Sequence, residues 1–175
     1  EGKTLNKHTF KVLEVQEIKV KIAEFALTNE GKEKIYNLEP STHLKQIEAW
    51  LDEVSEGVEI LKKSSSVPVH GLGGMEQILS KLNKGTALRP DQLTKLHDFL
   101  DCCGKMRRYM KDKEFYAPRV SSYVDVIEEL PELEGEIIRC IRNGRVDDYA
   151  TKELLKIRKQ IAIHEERLKE KTMQL

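Results

Sequence analysis

The sequence predicts an all-α protein: an elongated helical bundle with a projecting C-terminal helix and at most one small hairpin near 141–149. Three observations predict it. Charged residues make up 34% of the 175-residue chain and hydrophobic residues 39%, a balance that suits amphipathic helices. Apolar residues recur three and four positions apart through most of the length, which places them on one side of a 3.6-residue helix. The strongest breakers, Ser64–Gly74 and Asn143-Gly144, leave long uninterrupted periodic runs between them.

Thr9 to Leu27 carries a helical face of Phe10, Leu13, Val15, Ile18, Ile22 and Phe25, with Thr9 as the expected cap. Asn29-Glu30-Gly31 then interrupts, and a short helix is expected over Lys32–Asn37. Pro40-Ser41-Thr42 supplies a turn and two capping hydroxyls for a long helix from Thr42 to Lys63. There Leu44, Ile47, Leu51, Val54, Val58 and Leu61 form one stripe, expected to face the core. The Ser64–Gly74 segment is loop-like. Its glycines lack both the following Gly-Lys-Ser/Thr and the preceding strand of a phosphate loop.

Met75 to Asn83 reads as a short helix on Ile78, Leu79 and Leu82. Pro90 opens the next helix, where its missing N–H costs nothing. The expected buried face is Leu93, Leu96, Leu100, Cys103, Met106 and Met110. Val120, Tyr123, Val124, Ile127 and Leu130 mark another helix, and Pro131 to Ile141 a further one with Leu133, Ile137, Ile138 and Ile141 inward. Asn143-Gly144, between Ile141 and Val146, is the chemistry of a two-residue hairpin turn. Thr151 caps a final helix to Leu175. Leu154, Ile161, Leu168 and Leu175 recur every seven residues, while the second seam position runs Ile157, His164, Lys171 and so fades. The expected organisation is a helical core domain over 1–150 and the start of a long coiled-coil helix over 151–175. The pattern stops without a capping glycine, so a fragment of a longer protein is expected.

Thirty basic residues balance thirty acidic ones, so the chain as a whole sends no signal for nucleic acid or membrane. Any cationic surface must be local. Lys105, Arg107, Arg108 and Lys111 crowd the end of one helix, and Arg139, Arg142 and Arg145 surround the hairpin. Cations favour a helix C-terminus in any case; phosphate contact, and hence DNA, is the functional reading of both groups. No catalytic, cofactor-binding or metal-ligating residue is expected. The five histidines do not pair with one another or with cysteine at ligand spacing. Cys102, Cys103 and Cys140 read as reduced packing thiols. No apolar run approaches the roughly 20 residues of a membrane span and no leader peptide is visible, so a cytoplasmic protein without a small-molecule substrate is expected.

Several segments, in order, resemble one family. Thr9-Phe10-Lys11-Val12-Leu13-Glu14-Val15 and Ile22-Ala23-Glu24-Phe25-Ala26 resemble the start of the bacterial MutS-two proteins, MutS paralogues that lack the mismatch-reading domain. Gly31-Lys32-Glu33, Leu38-Glu39-Pro40-Ser41-Thr42 and Glu56-Gly57-Val58-Glu59-Ile60-Leu61 resemble that family's opening core segment. Leu130-Pro131-Glu132-Leu133 and Leu154-Leu155 through Ile161 resemble its later core and the approach to its lever and clamp. The resemblance implies a non-catalytic core and lever module that couples a DNA-embracing clamp to a C-terminal ATPase. ATP and magnesium would then bind in an ATPase domain with no counterpart here, and some members carry a C-terminal nuclease domain. The implied partners are branched or duplex DNA or the ribosome, with roles in DNA repair, recombination control or rescue of collided ribosomes, and a homodimeric parent. From the residues alone, the alternative is a stand-alone interaction module that dimerises through 154, 161, 168 and 175.

Overall fold

The computed structural model describes residues 7–64 and 66–173. Their elements run α1 (Lys7–Val12), α2 (Val15–Ala23), α3 (Asn29–Tyr36), α4 (Leu44–Lys63), α5 (Met75–Asn83), α6 (Pro90–Met110), α7 (Pro118–Asp125), α8 (Pro131–Cys140), β1 (Ile141–Arg142), β2 (Arg145–Val146) and α9 (Lys152–Met173). The chain is therefore all-α with one short hairpin, as its periodicity predicts. It divides into two compact units: one takes the chain up to Gly73 together with Cys102–Glu129, the other Gly74–Asp101 together with Leu130 onward.

The first unit begins less regularly than its pattern suggests. Glu14 adopts φ 50° and splits the expected opening helix into α1 and α2. Thr9 lies inside α1, which begins at Lys7. Helix α3 starts earlier than expected, because Thr28 caps it by accepting from Gly31 N–H at 3.0 Å. Gly31 thus sits in the first turn, where a Cβ would stand 3.1 Å from the capping oxygen.

Helix α4 corrects a more important expectation. Its stripe is not the buried face. Leu44, Leu51, Val54, Val58 and Leu61 are exposed, Ile47 is half-buried, and the helix's one buried residue is Ile60. The face that packs is polar, and it meets α7. Glu56 accepts from the backbone N–H of Val120 at 2.9 Å, Tyr123 donates its hydroxyl to Glu53 at 2.5 Å, and Arg119 lies 3.1 Å from Asp52. The hydrogen bond to Glu53, and then its charge, push the Tyr123 phenol above its ordinary range. At 100° per residue, Asp52, Glu53, Glu56 and Ile60 stand on the side of α4 opposite the stripe. Ile60 joins Met110, Ala117 and Val124 in this unit's core, with Met106, Tyr109, Tyr116, Val120 and Ile127 packed around them. The caps expected at Ser41 and Thr42 also move: His43 is the N-cap residue, and Ser41 Oγ accepts its N–H at 3.1 Å. The 67–71 loop docks on Cys102, whose sulfur accepts from His70 N–H at 3.5 Å and donates to Pro68 C=O at 3.4 Å.

The second unit has its own core of Met75, Ile78, Leu96, Leu100 and Ile137, ringed by Leu88, Leu93, Phe99 and Ile141. The buried Gln92 fixes the start of α6 by accepting from Arg89 N–H at 3.1 Å and from Lys81 Nζ at 3.0 Å. On α8 only Ile137 of the expected apolar face is buried; Leu133 and Ile138 stay exposed. In the hairpin, Ile141 pairs with Val146 and Arg142 with Arg145. Asn143 and Gly144 have φ 50° and 70°, the doubly left-handed turn that suits the twist of a two-residue hairpin. Thr151 caps α9 as expected, accepting from Leu154 N–H at 3.1 Å. From Lys159 to Met173 every residue of α9 is exposed. Leu175, the last member of the sevenfold repeat, and Ser65 lie outside the described residues.

Candidate nucleic-acid interface

The seven candidate cations fall in the two units as two separate groups. Lys105, Arg107 and Arg108 stand on the last turns of α6, and Lys111 follows its end. Two groups occupy Arg107: it donates to Ile127 C=O at 2.6 Å and forms an ion pair with a Glu129 carboxylate oxygen at 3.7 Å. This arginine ties the chain after α7 back to α6. Arg108 lies alongside Gly104, whose missing side chain makes room for it; a Cβ there would be 3.2 Å from the guanidinium and 3.5 Å from Glu129. Arg107, Arg108 and Lys111 line a concavity of about 360 Å³ with Glu114, Asp125, Glu129, Met110 and Val124. Three cations face three acids in it. An anion entering would meet a divided field, so Arg108 and Lys111 are the stronger candidates on its rim. Lys105 is exposed and is not among the lining residues.

The second group is more heavily committed to structure. Arg139, at the end of α8, grips Glu136 through Nε at 3.0 Å and Nη2 at 2.7 Å, and donates to Ala150 C=O at 3.0 Å. The hydrogen bond to Glu136 heads the causes that raise the Arg139 pKa and, reciprocally, lower that of Glu136. Arg142 pairs with Asp147 at 3.2 Å. Its cross-strand neighbour Arg145 is exposed, and its side chain makes no hydrogen bond or ion pair among the described residues. Two guanidinium groups side by side on a hairpin repel, and Asp147 relieves this at one of them only.

A residue outside the expected set completes the local charge pattern. Arg158 of α9 donates to Val146 C=O at 2.7 Å and to the Asp148 carboxylate. Arg142, Arg145 and Arg158 line a concavity of about 790 Å³ with Asn143, Val146, Asp147, Asp148 and Tyr149. Three cations against two acids leave it net positive. Nothing local marks Arg158 in the sequence, because its partners lie ten and twelve residues away.

Fold and site together define a helical scaffold in which the candidate cations line a concavity in each unit. No family model matches the chain. Individual relatives do. Proteins named Endonuclease MutS2 match it from Geobacillus sp. at 30% identity over 165 residues and from Geobacillus kaustophilus at 33% over 163, each covering 91% of this chain. The one from Clostridium beijerinckii is 30% identical over 170 residues, or 95% of the chain. Over nearly its whole length the chain therefore matches a fragment of the MutS2 family. It spans 21–22% of the length of these relatives.

Proposed function

We propose that the chain is a non-catalytic core and lever module of a MutS2-type, DNA-binding ATPase. In this reading the two helical units relay movement between a DNA-embracing clamp, which α9 leads into, and an ATPase domain elsewhere in the parent protein. ATP and magnesium belong to that domain, and any nuclease activity to the parent's C-terminal region. DNA repair or recombination control is the setting, with rescue of collided ribosomes as a further role, cytoplasm as the location and a homodimer as the parent's state. The observation that carries the reading is the collinear match to MutS2 relatives along 91–95% of this chain. The exposure of α9 from Lys159 onward adds support, since a helix whose seam fades is suited to pairing with a second arm.

Within the module, Arg108, Lys111 and Arg145 are the cations best placed to meet phosphate. Fluorescence anisotropy with labelled duplex and four-way-junction DNA tests this. The combined variant Arg108→Glu, Lys111→Glu, Arg145→Glu is expected to lose about tenfold or more in affinity at low salt. Wild-type affinity in that variant removes the DNA reading of these residues. Binding to purified ribosomes without binding to either DNA moves the partner from DNA to the ribosome.

A further inference from the structure

The exposed stripe of α4 has the form of a coiled-coil seam. Leu44, Ile47, Leu51, Val54, Val58 and Leu61 alternate strictly three and four apart, which repeats two apolar positions every seven residues. Leu44, Leu51, Val54 and Leu61 are 60–67% exposed, and α7 occupies the opposite side of the helix. The two flanks of the seam differ. One carries Glu48, Ser55 and Lys62; the other carries Trp50 and Gly57.

We propose that two copies of this chain pair antiparallel through α4. The seam is then closed by three kinds of layer, each occurring twice about a two-fold axis: Leu44 on Leu61, Ile47 on Val58 and Leu51 on Val54. This arrangement satisfies both flanks. Glu48 of each copy faces Lys62 of the other, which gives two opposite-charge contacts. Trp50 of each copy lies over Gly57 of the other. The indole is 41% exposed, and nothing stands within 4 Å of where a Gly57 Cβ would be, so the glycine offers open ground for the ring. Parallel pairing would instead set Glu48 beside His43 and Lys62 beside Gly57, and both matches would be lost. Lys62 now makes a 3.2 Å contact with Glu59, with the two side chains 65% and 40% exposed. Such surface pairs hold little energy, and this one does not prevent the exchange.

The seam is short, so the interface lies at the low end for specific association, roughly 1,200 Å² in total, and a dissociation constant on the order of 10–100 µM is expected. Sedimentation velocity on the full 175-residue chain, with reductant present, tests it over about 5–300 µM. The expected result is a monomer–dimer equilibrium in that range. Leu51→Glu, at an exposed position, should abolish the dimer while circular dichroism shows unchanged helix. Glu48→Lys and Lys62→Glu should each weaken association several-fold, and the two together should restore it, because only the antiparallel register brings these positions face to face. A chain that stays monomeric throughout overturns the proposal and assigns the stripe to a different occupant, such as another segment of a longer parent. A dimer indifferent to Leu51→Glu, or a double swap that fails to restore association, overturns it equally.

Discussion

At the scale of single residues, partner geometry decides what a charge can do. Asp91 shows this in the open. Both its oxygens accept from the Arg89 guanidinium at 2.9 Å, and that hydrogen bonding holds its pKa at about 2. A carboxylate depressed in the folded state stabilises above its unfolded value and stops doing so as pH falls through the folded one. The contribution of this pair is thus complete above about pH 4 and lost on approach to pH 2. Carboxyl-detected NMR should place the Asp91 midpoint near 2, and Arg89→Gln should return it to the ordinary carboxylate range. The same logic sorts the seven candidate cations. Their positions are legible in the sequence as clusters. That Arg107 and Arg142 are taken by Glu129 and Asp147 is not, because these partners meet them only through chain folding, whereas Glu136 stands within helical reach of Arg139. Gly104 offers a second residue-scale test. It is buried within α6 and its one tight neighbour is the flexible tip of Arg108. Gly104→Ala removes a helix penalty of about 1 kcal/mol and asks only for a small shift of that tip. Denaturant unfolding should show a gain of up to about 1 kcal/mol; a clear loss would mean that Arg108 is held rigidly where it lies.

At the scale of elements, the join between α4 and α7 is the least expected feature. Helix α7 has no side-chain cap of its own at Ala117. Glu56, sixty-four residues earlier, supplies it by accepting from Val120 N–H, and a carboxylate near a helix N-terminus also complements the dipole. Glu56→Ala should therefore cost roughly 1.5–3 kcal/mol, the range for a hydrogen bond to a charged group. Glu56→Gln should recover part of it, as read by denaturant midpoints at constant slope. This join also explains why the α4 stripe does not face this unit's core. Periodicity shows that a helix has an apolar side; it cannot show that the side used by the rest of the chain is the other one, chosen by three polar contacts with α7. By contrast the hairpin was legible, because Asn-Gly carries its left-handed dihedrals in its own covalent structure. The break at Glu14 was not, since a left-handed glutamate leaves no compositional mark.

At the scale of the molecule, zero formal net charge removes long-range attraction to a polyanion, so DNA affinity must come from the few cations that are exposed and uncommitted. This turns the DNA proposal into a number. Each phosphate neutralised contributes about −0.9 to the slope of log affinity against log salt on duplex DNA. If Arg108, Lys111 and Arg145 alone engage, the slope is about −2.7; if all seven candidates engage, their internal pairs must break and the slope approaches about −6. Anisotropy titrations across a fourfold salt range separate these values. A slope near −2.7 is expected, falling to about −0.9 in the Arg108→Glu, Lys111→Glu variant, where Arg145 is the one member of that trio left. A slope near −6 would show that DNA competes successfully with Glu129, Glu136 and Asp147 for their arginines. In that case Glu136→Gln and Asp147→Asn should tighten binding, because they release Arg139 and Arg142 from partners that DNA would otherwise have to displace.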